Sequence, residues 1–185
     1  MNYSAVDVRK LRPARMDLWL SLFQIVFSIG PYLMMRLCGA DEIMAKAPEI
    51  IDGTAQYFFA DDLKFFKRSG RVSGLTATMG NLLGVRPIIY MSAEGKMESI
   101  GKERGRPRAM ERLLSYVDEL GNNIEGHRIF IGHTDAPDIA GELRDMLIAK
   151  YPDKKLDVTL VTVNPTAGGH CGPNGVGIIF RAKHR

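Results

Sequence analysis

Apolar positions along the chain follow two periods. Leu75, Met79, Leu82 and Leu83 fall on one side of a helix that would run to Gly84. Met110, Leu113, Leu114 and Val117 repeat that stripe, with Pro107 in the first turn and Gly121 at the close. Ile139, Leu143, Met146 and Leu147 make a further helix, with Asp135 as its expected N-cap. Residues 41–51 also read as a helix, with Ile43 and Ile50 on one side and Pro48 against it, and residues 61–67 as a brief one ended by Gly70. Between these lie short runs rich in aromatic and β-branched residues: 55–60, 86–91, 97–100, 128–132, 156–163 and 176–181. Ala93 to Lys96 reads as the turn of a hairpin. Helices alternating with strands predict an α/β domain, a two-layer mixed β-sheet with helices on one face, over residues 39–185. The Leu and Met stripes are core positions.

The first 38 residues break the pattern. Arg9, Lys10, Arg12 and Arg15 precede residues 18–35, which carry no formal charge. A membrane span needs about 20 mostly apolar residues, and Ser21, Gln24, Ser28 and Pro31 interrupt this run. No small-residue cleavage signal follows it. We therefore set residues 1–38 apart as an atypical apolar segment. Of the 185 residues, 45% are hydrophobic and 25% charged, which excludes a disordered, collagen-like or disulfide-framework protein. The two cysteines, Cys38 and Cys171, form no CxxC pair, so a reducing, cytoplasmic compartment is expected. The net charge of +4 is uneven: residues 64–112 hold 11 Lys or Arg against 4 Asp or Glu. A basic segment suits an anionic partner, whether nucleic acid, phosphate, a carboxylate ligand, an acidic protein or a transient contact with a membrane surface. A solvated basic face is the plainer reading.

Four stretches could carry chemistry. Residues 168–177, GGHCGPNGVG, combine five glycines with His170. Such a loop can turn N–H groups toward an oxyanion, with the imidazole as a further donor; it lacks the Gly-Lys-Ser/Thr of a Walker loop. A glycine-rich turn between strands is the alternative. Lys67 to Arg71 form a basic turn in which Arg71 could fork onto a carboxylate. Arg104-Gly105-Arg106-Pro107-Arg108 resembles the core of a minor-groove hook, giving a nucleic-acid-binding alternative, although a strong helix begins at Pro107. His133, Thr134 and Asp135 form a polar set that reads first as structural; His133, Asp135, His170 and Cys171 would hold a metal only if two loops met, and no metal site is expected. Adjacent His170 and Cys171 would diverge along an extended chain, which argues against a nucleophile pair.

In order and spacing, these stretches resemble the DegV family of bacterial fatty-acid-binding proteins. Residues 62–72, DLKFFKRSGRV, are similar to its D-L-x-x-L-x-x-G-G-R-I, and residues 80–88, GNLLGVRPI, to its G-x-L-L-x-I-K-P-I. Gly95-Lys96 through Lys102-Glu103-Arg104-Gly105 resemble its D-G-x(n)-K-x-R-G, and residues 170–177, HCGPNGVG, its H-x-G-P-G-x-x-G. The resemblance implies a carrier rather than an enzyme. Such a protein holds one long-chain fatty acid between two domains and presents the carboxylate to a fatty acid kinase, with no cofactor beyond the bound lipid. By position it implies His170, Arg71 and Gly172 at the carboxylate and Arg104 at the kinase-docking surface. Asn174 stands where the family has a loop glycine, a mild change because asparagine tolerates a left-handed backbone. The family's N-terminal domain, with the serine and threonine that also hold the carboxylate, has no counterpart in this sequence. A truncated gene, and a remnant that folds but binds nothing, is thus a second expectation.

Overall fold

The computed structural model describes residues 40–70, 84–93 and 95–185. The chain divides at Ile51 and Asp52. The helix at this division, α1 (Ala40–Asp52), continues through Pro48. The expected helix on Leu75 to Leu83 lies outside the described residues, as do residues 1–38 and Arg71.

The second unit is built on six strands: β1 (Thr54–Phe59), β2 (Val85–Met91), β3 (Met97–Arg104), β4 (Ile129–Thr134), β5 (Val158–Thr162) and β6 (Gly175–Arg181). They form one sheet in the order β3-β2-β1-β6-β4-β5. Every neighbouring pair is antiparallel except β4 and β5. A parallel pair requires a crossover, and the helix α4 (Pro137–Lys150) supplies it. β1 sits at the middle of the sheet and is buried on both faces, so it reads as an apolar run rather than an alternating one.

The alternation of side chains sorts the core into two layers. Ala55, Tyr57 and Phe59 of β1, Ile129 and Ile131 of β4, and Val176, Ile178 and Phe180 of β6 face one way. Against them pack α3 (Arg106–Leu120), through Met110, Leu113, Leu114 and Val117, and α4, through Ile139, Ala140, Leu143 and Leu147. These are the stripes that the periodicity predicts. The two long helices thus share one face of the mixed sheet. The ring of Tyr57 stacks on that of Tyr116 at 4.0 Å. Phe58, Ala60 and Ile89 face the opposite way and meet Phe66 of the short helix α2 (Lys64–Arg68) and Cys171 of α5 (Pro165–Cys171).

Two sequence expectations change. Asp135 does not cap α4: it takes a left-handed backbone at φ 51, and the N-cap is Ala136. The imidazole Nδ1 of His133, not the Asp135 carboxylate, accepts the N–H of Ala136 at 3.3 Å. The glycine-rich stretch is not a loop throughout, because Gly168 and Gly169 belong to α5. Asn164 makes that helix possible: its side-chain oxygen accepts from the N–H of Ala167 at 3.0 Å, and Pro165 fixes the first turn.

Candidate functional site

The register brings the turn that holds His170 and Gly172, and the strand end that holds Arg104, to one end of the sheet, while Arg71 lies outside the described residues. Phe59 pairs with Ile88 and Val176, Thr134 with Gly175, and Val85 with Arg104. The ends of β1, β3 and β4 therefore lie beside the starts of β2 and β6. The turns after β1 and before β6 leave the sheet there and carry α2 and α5.

α5 ends at Gly172, whose φ of 73 and ψ of −179 belong to glycine alone. A Cβ at this position would fall within the ring of Phe65 on α2. The close approach of α5 to α2 thus depends on a glycine. His170 stands in the last turn of α5, half-buried, with its Nδ1 enclosed. Cys171, next in the chain, packs against the cluster of Phe58, Phe66 and Ile89. His170 is thus next in the chain to a residue packed into an apolar patch, just before a close-packed turn.

Thr134 pins this turn. Its Oγ1 accepts from the N–H of Gly175 at 2.8 Å, and its carbonyl accepts from Asn174 at 2.8 Å. Asn174 takes the left-handed backbone, φ 61, that asparagine tolerates. The N–H of Gly172 donates to the carbonyl of Gly168 at 2.8 Å, and Pro173 has none. The amides that could have formed an oxyanion nest are spent inside the fold. Gly172 can shape the site, and an anion must be met by side chains.

On the other side of β1, Arg86 donates through Nε to Asp61 at 2.7 Å. Both side chains are mostly shielded from water. The pair ties the turn that leads into α2 to the start of β2 and fixes where Leu63 and Phe66 sit. Sequence reasoning missed Asn164 and this ion pair, because each acts through a cap too local to stand out or across a sequence separation. Thr134 was singled out only as part of the polar set with His133 and Asp135, without its role in holding this turn.

The remaining candidates separate. Arg104 is exposed at the end of β3, three strands from β6 in the sheet order, or about 14 Å at the usual strand spacing. Arg104, Arg106 and Arg108 are divided between the end of a strand and the first turn of a helix. They do not form the extended run that a minor-groove hook needs. Burial pushes the Cys171 thiol up to about 12, so it is neutral and a poor nucleophile. Among the described residues no cluster of His, Cys, Asp and Glu could hold a metal ion. No helix among them is long and apolar enough to cross a membrane.

Comparison with known proteins agrees with this architecture. The model of the DegV family, described as "Uncharacterised protein, DegV family", matches residues 36–183. A DegV domain-containing protein of Lactococcus lactis, YqaC, is 34% identical over 136 residues, covering 74% of this chain and 47% of its own length. A fatty acid binding DegV family protein from Streptococcus agalactiae, solved by crystallography, superposes with a TM-score of 0.65 at 28% identity, over 78% of this chain and 50% of that one. The Fatty Acid Kinase (Fak) B3 protein of Streptococcus pneumoniae, solved loaded with linoleic acid, shares the fold at a TM-score of 0.66 and 16% identity, over 89% and 56% of the two chains. The chain spans about half the length of the curated relatives that it matches. With a family match from residue 36 to residue 183 and a fold that superposes on solved members, the chain belongs to the DegV family.

Proposed function

We propose that residues 39–185 are the lipid-binding domain of a fatty-acid carrier. It takes part in holding one long-chain fatty acid and presents the carboxylate to a fatty acid kinase. The observation that carries this reading is the position of His170, on a helix whose next residue packs into the apolar patch of Phe58, Phe66 and Ile89. A carboxylate entering dry surroundings needs a donor or a cation. Its tail gains about 0.8 kcal/mol per buried CH₂. His170 supplies the donor. Arg71, three residues beyond α2 in the chain, supplies the supporting charge, and Gly172 shapes the turn that follows His170.

The chain carries out no catalytic step in this reading, and its ligand is the fatty acid, without a further cofactor. Phosphorylation belongs to the kinase, whose docking we assign to exposed Arg104 and the basic segment around it. The fatty-acid binding of the Streptococcus agalactiae relative and the kinase system of the Fak B3 protein support this assignment. A cytoplasmic location with transient contact at a membrane surface, where fatty acid is exchanged, fits the same reading. Residues 1–38 form a separate segment. In this reading residues 39–185 supply one side of a site formed between two domains.

The test is displacement of a fluorescent fatty acid. We expect His170→Ala to weaken binding about tenfold or more, the worth of one charge-assisted hydrogen bond, and Arg104→Ala to leave it unchanged. Equal binding by wild type and His170→Ala would remove the site assignment. The nucleic-acid alternative predicts DNA binding that weakens steeply with salt; the folded state of Arg104 to Arg108 favours no such binding in a low-salt gel shift.

A further inference from the structure

The two edges of the sheet are built differently. β3, at one edge, carries Glu98, Lys102, Glu103 and Arg104, and its pairing with β2 is interrupted by an irregularity at Ile88 and Ile89. Charges and bulges are how proteins keep an open edge from pairing. β5, at the other edge, has neither. From Val158 to Val163 the sequence is VTLVTV, without a charge, and its register with β4 is regular.

The direction of its backbone groups can be worked out. The carbonyl of Asp157 accepts from Ile129, and the N–H of Val163 donates to His133, so both point toward β4. In an extended strand successive residues point their N–H and C=O groups to opposite sides. Thr159 and Val161 therefore also face β4, while Val158, Leu160 and Thr162 turn theirs to the open edge. Among the described residues β5 pairs with β4 alone.

The helix above adds an apolar side to this edge. Lys150 of α4 pairs with Asp118 of α3 at 2.9 Å, so that flank of α4 faces α3 and the middle of the sheet. Ile148, Arg144 and Gly141 lie on the opposite flank, toward the β5 edge. Ile148 is 47% exposed. Only Ile148 and Ile100 are exposed large hydrophobics among the described residues.

We propose that this edge pairs with the β5 edge of a second copy of the chain, antiparallel about Leu160, so that one sheet continues through a two-fold axis. Leu160 then faces its own counterpart, and Val158 faces Thr162 of the second copy. Each of these opposed pairs exchanges two main-chain hydrogen bonds. The strand suits itself as a partner. Its charge-free run places no like charges opposite each other; the flanking Asp157 falls opposite Val163 and Lys155 opposite Pro165. The exposed Ile148 flanks gain cover on the helix side. A contact this short is smaller than the roughly 800 Å² per partner of stable complexes, so the dimer is weak, with a Kd of about 10 µM to 1 mM.

Sedimentation equilibrium of the full chain tests this. The average mass should rise toward twice that of the monomer across the stated range. Thr162→Pro should hold it at the monomer, because proline deletes an outward N–H and leaves the ladder to β4 intact. A second measurement needs no variant. Amide hydrogen exchange at Val158, Leu160 and Thr162 should slow several-fold in concentrated solution relative to dilute, while that at Thr159 and Val161 stays constant. A monomer at every concentration, dimers of equal strength in wild type and folded Thr162→Pro, or edge amides indifferent to concentration would each overturn the proposal. So would protection that appears only with an added extended peptide, which would assign the edge to a foreign strand.

Discussion

At Gly172 one missing Cβ decides how α2 and α5 meet. Its backbone lies where side chains are not tolerated, and the ring of Phe65 occupies the space a methyl would need. We predict that Gly172→Ala lowers stability by about 2–4 kcal/mol in denaturant unfolding. Adding Phe65→Ala should recover the part due to the clash but not the part due to backbone strain. The neighbouring Cys171 gives a second test at this scale. Burial raises its pKa to about 12, above its unfolded value. The neutral thiol thus contributes stability below about pH 8.5 that fades as pH rises toward the folded value. In a Cys38→Ser background, a thiol reagent at pH 8 should modify Cys171 about a thousandfold more slowly than in the unfolded chain. Rapid modification of the folded protein would contradict its burial. Of these residue-level features, His170 and Gly172 were visible in the sequence because glycines and a histidine cluster there. Thr134 stood out only as a polar neighbour of His133, and its role did not. Its carbonyl and hydroxyl act on residues 40 and 41 positions away, and no local pattern carries such a separation.

The elements that sequence periodicity located are those whose stripes meet the core: α3 and α4, with Leu113, Leu143 and Leu147 fully buried. α5 escaped because two glycines sit inside a helix of seven residues. Its existence rests on the Asn164 cap and on docking against α2, which are tertiary and capping effects rather than propensity. The mutual hold of α3 and α4 is equally unpatterned. Tyr151 donates to Asp118 at 2.6 Å, and Lys150 lies 2.9 Å from the same carboxylate. Burial raises the pKa of Asp118, but the hydrogen bonds from Tyr151 and Lys150 outweigh it and hold the carboxyl below its ordinary value. A carboxylate depressed in the fold contributes stability above its unfolded pKa and loses it as pH falls through the folded one. The cost of Tyr151→Phe, about 0.5–1 kcal/mol at this exposed site, should therefore be present at pH 7 and shrink below pH 4. Thermal unfolding of the variant and wild type at both pH values measures it.

At the scale of the molecule, the two faces of the mixed sheet are built differently. One face meets two long helices and holds most of the large buried side chains. Phe59, at the centre of that layer and fully buried, should cost about 3–5 kcal/mol when replaced by alanine. The opposite face ends in a small apolar cluster under α2 and α5, the helix that carries His170 and ends at Gly172. The alternation of helix and strand made this architecture legible. The strand order was not, because pairing β1 with β6 across more than a hundred residues is fixed by register and burial in three dimensions. Mass spectrometry of an organic extract from the purified, folded chain tests the central claim most directly. The account predicts a long-chain fatty acid in near-stoichiometric amount, reduced in His170→Ala. A folded chain that carries no lipid and takes up none when it is offered would contradict the carrier reading.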